Sequence, residues 1–315
     1  MPWIFRSSNP RLGAGLSFLL IKTVQARAFA KINLGLKVLT KRPDGFHEIR
    51  TVYQTVGLAD RVEVLISSRQ KGIRLECDRE ELGSERDNLV YRAAHLWQRA
   101  HGFKGGIRLR LEKNIPVGAG LGGGSSDAAV TLLALEHLTG NQLCLSARLE
   151  LAAKLGSDVP LFLLGGRVLG CGRGEEVYPL TDLPARHCLI VFPGFSVSTA
   201  EAYQELGLRL TKGEEDRRIS SLGKRSPFPL ETWGPAENDF EWFVFARWPE
   251  LARVKRQLIR AGAETASLTG SGSALYAVYE SAQQLKEAAS RIPAGWKVFQ
   301  VRTLSRAAYR QRLYV

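Results

Sequence analysis

The sequence predicts an α+β protein with two domains. Short segments of alternating apolar and polar residues, typical of strands, are mixed with amphipathic helical segments. A glycine-rich loop at residues 118–126 separates a strand from a helix, and the composition changes near residues 165–185. We therefore predict a loose extension at residues 1–22, an N-terminal domain at 23–175 and a C-terminal domain with a basic tail at 176–315.

The N-terminal half contains the elements that surround this loop. Ile32–Val38 alternates like a half-buried strand and ends at the turn Arg42–Gly45, where proline and then Asp-Gly favour chain reversal. Farther along the chain, we predict a helix of about four turns that is capped by Asp87 and ends at Gly102. Similar patterns predict strands at Val62–Ile66, Ile73–Leu75 and Ile107–Leu111, helices at Ser126–Thr139 and Ser146–Leu155, and a strand-like segment at Leu161–Leu164.

The C-terminal half has fewer clear signals. Residues 207–235 are polar, charged and dotted with proline and glycine, which indicates an excursion at the surface. Helical patterning resumes at Asn238–Arg247 and Glu250–Ala261. A second glycine-containing loop at residues 269–272 leads into a predicted strand, Ala274–Tyr279.

The composition is that of an ordinary globular protein. The 315 residues are 44% hydrophobic and 24% charged, so a core can form without metal or disulfide staples. The four cysteines form no C-x-x-C pair, which argues against a zinc site or a disulfide framework and predicts a reducing, cytoplasmic location. A short apolar run lies at residues 16–21, but no stretch of about 18 apolar residues occurs, so we expect no membrane partner.

The net charge of +13 raises the possibility of a nucleic-acid partner. However, the basic residues are scattered, with mild concentrations at residues 217–225 and 302–312, and no RNA-binding signature accompanies them. A solvated basic surface is the favoured interpretation, so we expect no nucleic-acid partner.

The loop at residues 118–126 is the clearest functional signal. Its glycines let the backbone approach a ligand closely, and the helix behind it offers free N–H groups and a partial positive charge. These features predict a phosphate cradle rather than a simple surface turn. The spacing Gly118-x-Gly120-x-x-Gly123 also matches a dinucleotide fingerprint, but the preceding strand alternates apolar with basic residues, whereas strands of parallel sheets are usually continuously apolar.

Three motifs, in order along the chain, resemble those of the GHMP kinases. The segment PVGAGLGGGSSDAA at residues 116–129 resembles the ATP loop of that superfamily, Ala30–Leu34 its first motif and Leu268–Ser273 its third. The resemblance covers roughly residues 26–300. It implies the two-domain GHMP kinase fold, with an N-terminal domain resembling the second domain of ribosomal protein S5 and a C-terminal domain resembling an α/β plait.

Within this superfamily, the chain is similar to the kinases of 4-diphosphocytidyl-2-C-methyl-D-erythritol. The segments that carry this similarity are Arg42–Glu48, Thr51–Gln54, Gly156–Pro160 and Glu237–Glu241. The similarity implies ATP-dependent phosphorylation of the 2-hydroxyl of that alcohol, in the non-mevalonate route to isoprenoid precursors. Phe29 departs from the motif, where proline is usual, and Phe46 stands where tyrosine is common.

The resemblance also implies roles for single residues. Lys31 matches the catalytic lysine, and Asp158 matches the carboxylate that takes the proton of the acceptor hydroxyl. Without the resemblance to these kinases, Asp158 would be interpreted as an ordinary turn residue and Lys31 as a surface lysine. ATP would lie on the loop with Mg²⁺ offsetting its charge, and no residue is assigned to the metal. The ATP-binding positions are Pro116, Val117, Gly118, Ala119, Gly120, Leu121, Gly122, Gly123, Gly124, Ser125 and Ser126.

A second group of positions matches the substrate pocket. Aromatic faces can stack on a cytosine ring, and an imidazole can hydrogen-bond to its polar edge. The matched residues are Asn33, Phe46, His47, Thr199 and Tyr203. The third-motif glycine loop is a separate set of candidate site residues, Thr269, Gly270, Ser271 and Gly272. The expected partner is a small molecule with a cytidine diphosphate moiety, and the expected state is a monomer or a weak homodimer.

Three other functions stay open at this point. A sister GHMP kinase would act on a different alcohol, although Asp44–His47 favours a nucleotide base. A nicotinamide-dependent oxidoreductase would use Gly118–Gly123 as its dinucleotide loop. The charge alone motivates a nucleic-acid-binding protein.

Overall fold

The computed structural model describes residues 21–79, 84–209, 233 and 236–315. The predicted extension at residues 1–22, apart from its last two residues, and most of the predicted excursion at 207–235 lie outside these residues. Within the described part, the chain forms two sheets with helices packed on them.

The first sheet has six strands and the second has four. The six are β1 (Ile21–Lys41), β2 (His47–Ser67), β3 (Ile73–Cys77), β4 (Gly106–Glu112), β5 (Arg167–Cys171) and β6 (Glu176–Pro179). The four are β7 (His187–Phe192), β8 (Thr265–Leu268), β9 (Leu275–Tyr279) and β10 (Lys297–Arg302).

Helices cover both sheets. Those that lie between β3 and β5 in sequence are α1 (Leu89–His101), α2 (Gly123–Thr139), α3 (Leu145–Ala153) and α4 (Val159–Leu164). Later in the described chain come α5 (Thr199–Arg209), α6 (Glu241–Arg247), α7 (Pro249–Arg260), α8 (Ala282–Ala289) and α9 (Arg306–Gln311). The mixture of helices and antiparallel strands confirms the predicted α+β class.

The pairing around the glycine-rich loop differs from that of a dinucleotide-binding sheet. The first sheet has the order β3-β4-β2-β5-β6, with β1 also paired to β2, and the second has the order β10-β7-β9-β8. β4, which leads into the loop, is antiparallel to β2 and parallel only to β3. A doubly wound dinucleotide fold would instead place this strand in a mostly parallel sheet.

β1 is more buried than its alternating pattern predicts. Residues 26 and 28–36 are buried, so the strand is covered on both faces rather than half-buried. Ile32 and Leu34 pack in a core shared with the second sheet, beside Ile190 and Tyr276. The polar residues that alternate with Ile32 and Leu34 face a site that the protein also encloses. The predicted alternation of β1 is therefore correct, but the predicted exposure of one face is wrong.

Two local predictions are wrong and one is displaced. The cap of α1 is Asn88 rather than Asp87, because the Asn88 side chain accepts a hydrogen bond from Val90 N at 2.9 Å. The segment Leu161–Leu164 is helical rather than strand-like; it belongs to α4, whose first turn contains Pro160. A short apolar run that is buried at all but its last residue has no periodicity that separates a helix from a strand. α2 begins at Gly123, three residues before the predicted start.

The end of the chain returns to the first sheet. Leu304 N donates to Thr55 O at 2.9 Å, and Arg27 N donates to Leu313 O at 2.7 Å. Tyr309 and Leu313 are part of the core of the first sheet. The chain thus leaves the first sheet after β6 and joins it again at its C-terminus, while the division at residues 175 and 176 stays a prediction.

Candidate functional site

A cavity of about 750 Å³ is bounded by β1, the turn before β2, the start of α4, α5 and the loop after β8. A smaller cavity of about 370 Å³ lies between residues 115–125 and the start of α1. The two cavities share Gly120, Gly122 and Ser125. The predicted residues that line the larger cavity are Lys31, Asn33, Phe46, His47, Gly120, Gly122, Ser125, Asp158, Thr199, Tyr203, Gly270 and Ser271.

Lys31 and Asp158 form an ion pair in the wall of the larger cavity. Lys31 Nζ lies 3.5 Å from Asp158 Oδ2, and Tyr53 donates its hydroxyl hydrogen to Asp158 Oδ1 at 2.9 Å. The Lys31 side chain is almost fully buried, so it is not a surface lysine. Burial lowers the pKa of Lys31, although the neighbouring carboxylate of Asp158 opposes this shift. The pair therefore combines an oriented carboxylate with a desolvated amine.

Asn33 connects this pair to the third-motif loop. Its Oδ1 accepts hydrogen bonds from Lys31 Nζ and Gly270 N, each at 2.8 Å, and from Thr269 Oγ1 at 3.2 Å. Its Nδ2 donates to Thr51 Oγ1 at 2.7 Å. The Asn33 amide therefore holds Lys31 in place and uses most of its hydrogen-bonding capacity within the protein.

The glycines of the loop serve different purposes. Gly120 has a φ of +79°, and a Cβ there would overlap the carbonyl oxygen of Thr269. Gly122 has a φ of +71°, and a Cβ there would lie 3.0 Å from the Phe162 ring. Gly124, in contrast, has only Leu89 near its Cβ position, at 3.6 Å. Gly120 and Gly122 are thus required by packing, whereas Gly124 faces the smaller cavity with room for a side chain.

An aromatic wall closes the other end of the larger cavity. The rings of His47 and Tyr203 are stacked, with centroids 5.0 Å apart and planes 16° apart. The buried Nε2 of His47 has no hydrogen-bond partner among the described residues. Burial, with a smaller contribution from Lys41, lowers the pKa of His47, which favours the neutral imidazole. Phe46 is 52% exposed at the cavity rim.

Arg173 lines the same cavity and was missed by the sequence analysis. Its guanidinium carbon lies 4.7 Å from the centroid of the Phe46 ring, and its Nε donates to Glu175 Oε1 at 3.0 Å. The turn between β5 and β6 carries it, flanked by two glycines with positive φ, Gly172 and Gly174. That glycine pair was the available sequence signal. Lys41, Tyr53, Ser157 and Gln204 also line the cavity and were missed.

A buried ion cluster supports the loop from behind. Lys113 Nζ donates to Asp60 and to Asp127 Oδ2, the latter at 2.7 Å, and all three side chains are almost fully buried. Burial raises the pKa of Asp127 well above its ordinary value. Burial alone would lower the pKa of Lys113, but the attraction of Asp127 and Asp60 raises it. The cluster joins β2, the residue after β4 and α2 beneath the glycine-rich loop, and no local pattern in the sequence indicated it.

Comparison with known proteins identifies the superfamily. The model of the GHMP kinases N terminal domain matches residues 88–166, and that of the GHMP kinases C terminal domain matches residues 231–298. A 4-diphosphocytidyl-2-C-methyl-D-erythritol kinase of Solibacter usitatus is 45% identical over 290 residues, which are 90% of each chain. One of Pelotomaculum thermopropionicum is 39% identical over 85% of this chain and 93% of its own.

Solved structures agree with the sequence relatives. A crystal structure of a 4-(cytidine 5'-diphospho)-2C-methyl-D-erythritol kinase is 35% identical, with a TM-score of 0.70 over 89% of this chain and 98% of that one. A mevalonate kinase of L. major in complex with R-mevalonate has a TM-score of 0.66 at 14% identity, covering 90% of this chain and 97% of its own. The second likeness shows the fold alone.

The ion cluster generates a stability prediction. Lys113→Met should lower the free energy of unfolding by about 3–5 kcal/mol, because two buried carboxylates lose their shared cation. Urea denaturation at pH 7 measures the change. Lys71→Met, at an exposed lysine, is the control and should change the free energy by less than about 0.5 kcal/mol. Equal stability of the two variants would mean that Lys113 does not offset Asp60 and Asp127.

Proposed function

The chain belongs to the 4-diphosphocytidyl-2-C-methyl-D-erythritol kinase family of the GHMP kinases, and we propose how its own residues perform that reaction. The reaction is the ATP-dependent phosphorylation of the 2-hydroxyl of the cytidyl alcohol, in the methylerythritol phosphate route to isoprenoid precursors. One observation supports the proposal most: the two cavities meet at Gly120, Gly122 and Ser125, with Lys31 and Asp158 beside the junction.

We infer that ATP occupies the smaller cavity with its terminal phosphates at this junction. The first N–H groups of α2 are free of helical partners, and the helix dipole favours negative charge there. Lys113 lies beneath Gly123, but Asp60 and Asp127 offset its charge, so the helix terminus is the feature that favours the phosphates. The γ-phosphate would then face the larger cavity, where the acceptor hydroxyl must lie for an in-line transfer.

The pair Lys31 and Asp158 would carry the transfer. Asp158 Oδ1 is occupied by the Tyr53 hydroxyl, so Oδ2 is the oxygen that can accept the proton of the acceptor hydroxyl. As that hydroxyl oxygen bonds to the γ-phosphorus, the bond to the β-phosphate oxygen breaks and ADP leaves. Lys31 Nζ, held by Asn33, would stabilise the negative charge on the acceptor oxygen and the transferred group.

The residues at the junction suit a magnesium ion that arrives with the nucleotide. In the described part of the chain, no group of three or more His, Cys, Asp and Glu side chains could hold a metal ion. Mg²⁺ commonly binds substrate phosphates and few protein ligands. The Ser125 hydroxyl, which lines both cavities, is the side chain we assign to it. When bound, the ion offsets the charge of the phosphates.

The cytidine would lie against the aromatic wall. Tyr203 and Phe46 offer faces for the base, and the unpaired Nε2 of His47 can meet its polar edge. Arg173 and Lys41 supply positive charge for the diphosphate. Thr199 is linked to Ser271 through their hydroxyl oxygens, 2.8 Å apart, so it ties α5 to the third-motif loop.

The remaining expectations stay proposals. No described helix has the length and apolarity needed to span a bilayer, and all four cysteines are free. Free cysteines suit a reducing compartment, so we propose the cytoplasm as the location. We also propose a monomer or weak homodimer that acts on its small-molecule substrate without a nucleic-acid partner.

The base proposed for the transfer generates the first functional prediction. The wild-type chain should convert ATP and the cytidyl alcohol to ADP and a 2-phosphate, identified by mass and ³¹P NMR, and should leave mevalonate and homoserine unmodified. Asp158→Asn should lower kcat by about 10²–10⁴-fold with ATP affinity unchanged. Glu280→Gln, at an exposed carboxylate, is the control and should keep the wild-type rate. A normal kcat in Asp158→Asn would remove this residue from the mechanism.

The loop generates a second prediction. Gly124→Leu should raise the Kd for ATP by about tenfold or more, because the side chain projects into the smaller cavity. The fold should persist, since leucine is the better helix former at this α2 position. Calorimetric titration with ATP measures the affinity, and Ala100→Leu, at an exposed position of α1, is the control. Unchanged affinity would show that phosphates do not lie on this face of the loop.

The aromatic wall generates a third prediction. Tyr203→Ala and Phe46→Ala should each raise the KM for the cytidyl alcohol about tenfold, because base stacking contributes about 1–3 kcal/mol. The KM for ATP should change by less than about twofold, since the nucleotide occupies the other cavity. Tyr178→Ala is a control with a comparably exposed ring, 53% against 52% for Phe46. A change confined to the KM for ATP would place the base elsewhere.

A further inference from the structure

The C-terminal tail, residues 303–315, reaches both elements that carry the proposed reacting pair. Lys31 follows Phe29 by two residues on β1, and Asp158 precedes Phe162 by four residues at α4. Tyr309, in α9, contacts both phenylalanines. Its ring centroid lies 5.5 Å from that of Phe29, and its hydroxyl donates to Phe162 O at 2.6 Å.

The hydroxyl of Tyr309 satisfies a carbonyl at the end of α4. α4 has six residues and ends at Leu164, so the last carbonyls of the helix lack helical partners. Gly166 N, which could have bonded to Phe162 O, donates instead to Thr55 Oγ1 at 3.0 Å. The Tyr309 ring is 1% exposed and packs directly on the backbone of Gly165, where a Cβ would overlap it.

Phe162 also supports the glycine-rich loop. A Cβ on Gly122 would lie 3.0 Å from the Phe162 ring and 3.1 Å from Lys31 Cγ. A shift of α4 would therefore move the carboxylate of Asp158 and the floor of the loop together. Close packing transmits such shifts, because interiors have few voids to absorb them.

The tail is fixed on both sides of Tyr309. Before it, Leu304 N donates to Thr55 O at 2.9 Å, and Arg306 N donates to Asp182 Oδ2 at 2.8 Å. After it, Leu313 O accepts from Arg27 N at 2.7 Å, and Val315 N donates to a carbonyl of β1 at 3.0 Å. Tyr309 is thus a fixed point between β1 and α4 rather than part of a loose end.

We propose that Tyr309 is a positioning residue for phosphoryl transfer. Its hydroxyl holds α4 and its ring contacts β1, so that Tyr309 sets the separation between Asp158 and Lys31. This inference rests on the proposed roles of those two residues. It predicts an effect on the transfer step rather than on either substrate's binding, because Tyr309 lines neither cavity.

The test compares two tyrosines of the same tail. Tyr309→Phe keeps the ring and removes the hydrogen bond to α4. Tyr314→Phe is the matched control, because its hydroxyl donates to Leu133 O of α2 at 3.1 Å, away from Asp158. Steady-state kinetics with each substrate varied, at a temperature where thermal melts show all proteins folded, should give a kcat about tenfold lower for Tyr309→Phe. Both KM values should stay within about twofold, and Tyr314→Phe should keep the wild-type kcat.

The outcomes separate the positioning role from the function itself. An active wild type with an equally active Tyr309→Phe overturns the positioning role alone. Equal losses of kcat in Tyr309→Phe and Tyr314→Phe also overturn it, since the tail would then act only through general stability. A wild-type chain that leaves the cytidyl alcohol unmodified overturns the proposed function and, with it, this inference.

Discussion

The hydrogen bonds of the Asn33 side-chain amide fix the positions of the other residues of the site. It is 1% exposed and lies where β1 of the first sheet meets the loop that follows β8 of the second. Its Oδ1 accepts from the lysine of the site and from the loop, and its own backbone carbonyl accepts from Tyr276 OH at 2.8 Å. If this buried amide lacked these partners, each unsatisfied polar atom would lower the stability of the fold by its desolvation free energy. The two sheets and the lysine are therefore fixed in one arrangement.

The loop after β8 is held from its other side by Asn238. The Nδ2 of Asn238 donates to Leu268 O and Gly270 O, both at 2.9 Å, and Glu241 Oε1 accepts from Leu268 N at 3.0 Å. Two asparagines thus clamp the loop between β1 and α6. Because the backbone of Gly120 must then pass against Thr269, the glycine motifs reflect contact between two parts of the chain as well as the proposed contact with phosphate.

The structure could be predicted from the sequence where local chemistry alone determines it. Gly102 ends α1 in a left-handed conformation, as predicted, and the predicted alternation of side chains along β1 agrees with the structure. Long-range pairing decides the rest. The approach of Lys31 to Asp158 joins residues 127 positions apart on different elements, and the cluster around Lys113 draws its two carboxylates from β2 and α2. No local pattern encodes such contacts. The resemblance of the motifs indicated Lys31 and Asp158, whereas the spacing of residues did not indicate the ion cluster around Lys113.

Charge links the architecture to the choice of ligand. Asp158 is the one carboxylate among the described residues that line the larger cavity, whereas Lys31, Lys41 and Arg173 are all basic. Burial lowers the pKa of Lys31, so its surroundings disfavour the charged form of this amine. A ligand with two or more phosphates reverses this balance, because each phosphate oxygen favours the charged amine. Under the proposed function, an anionic substrate would therefore complement these fixed charges, and the same charges would face the phosphoryl group as it is transferred.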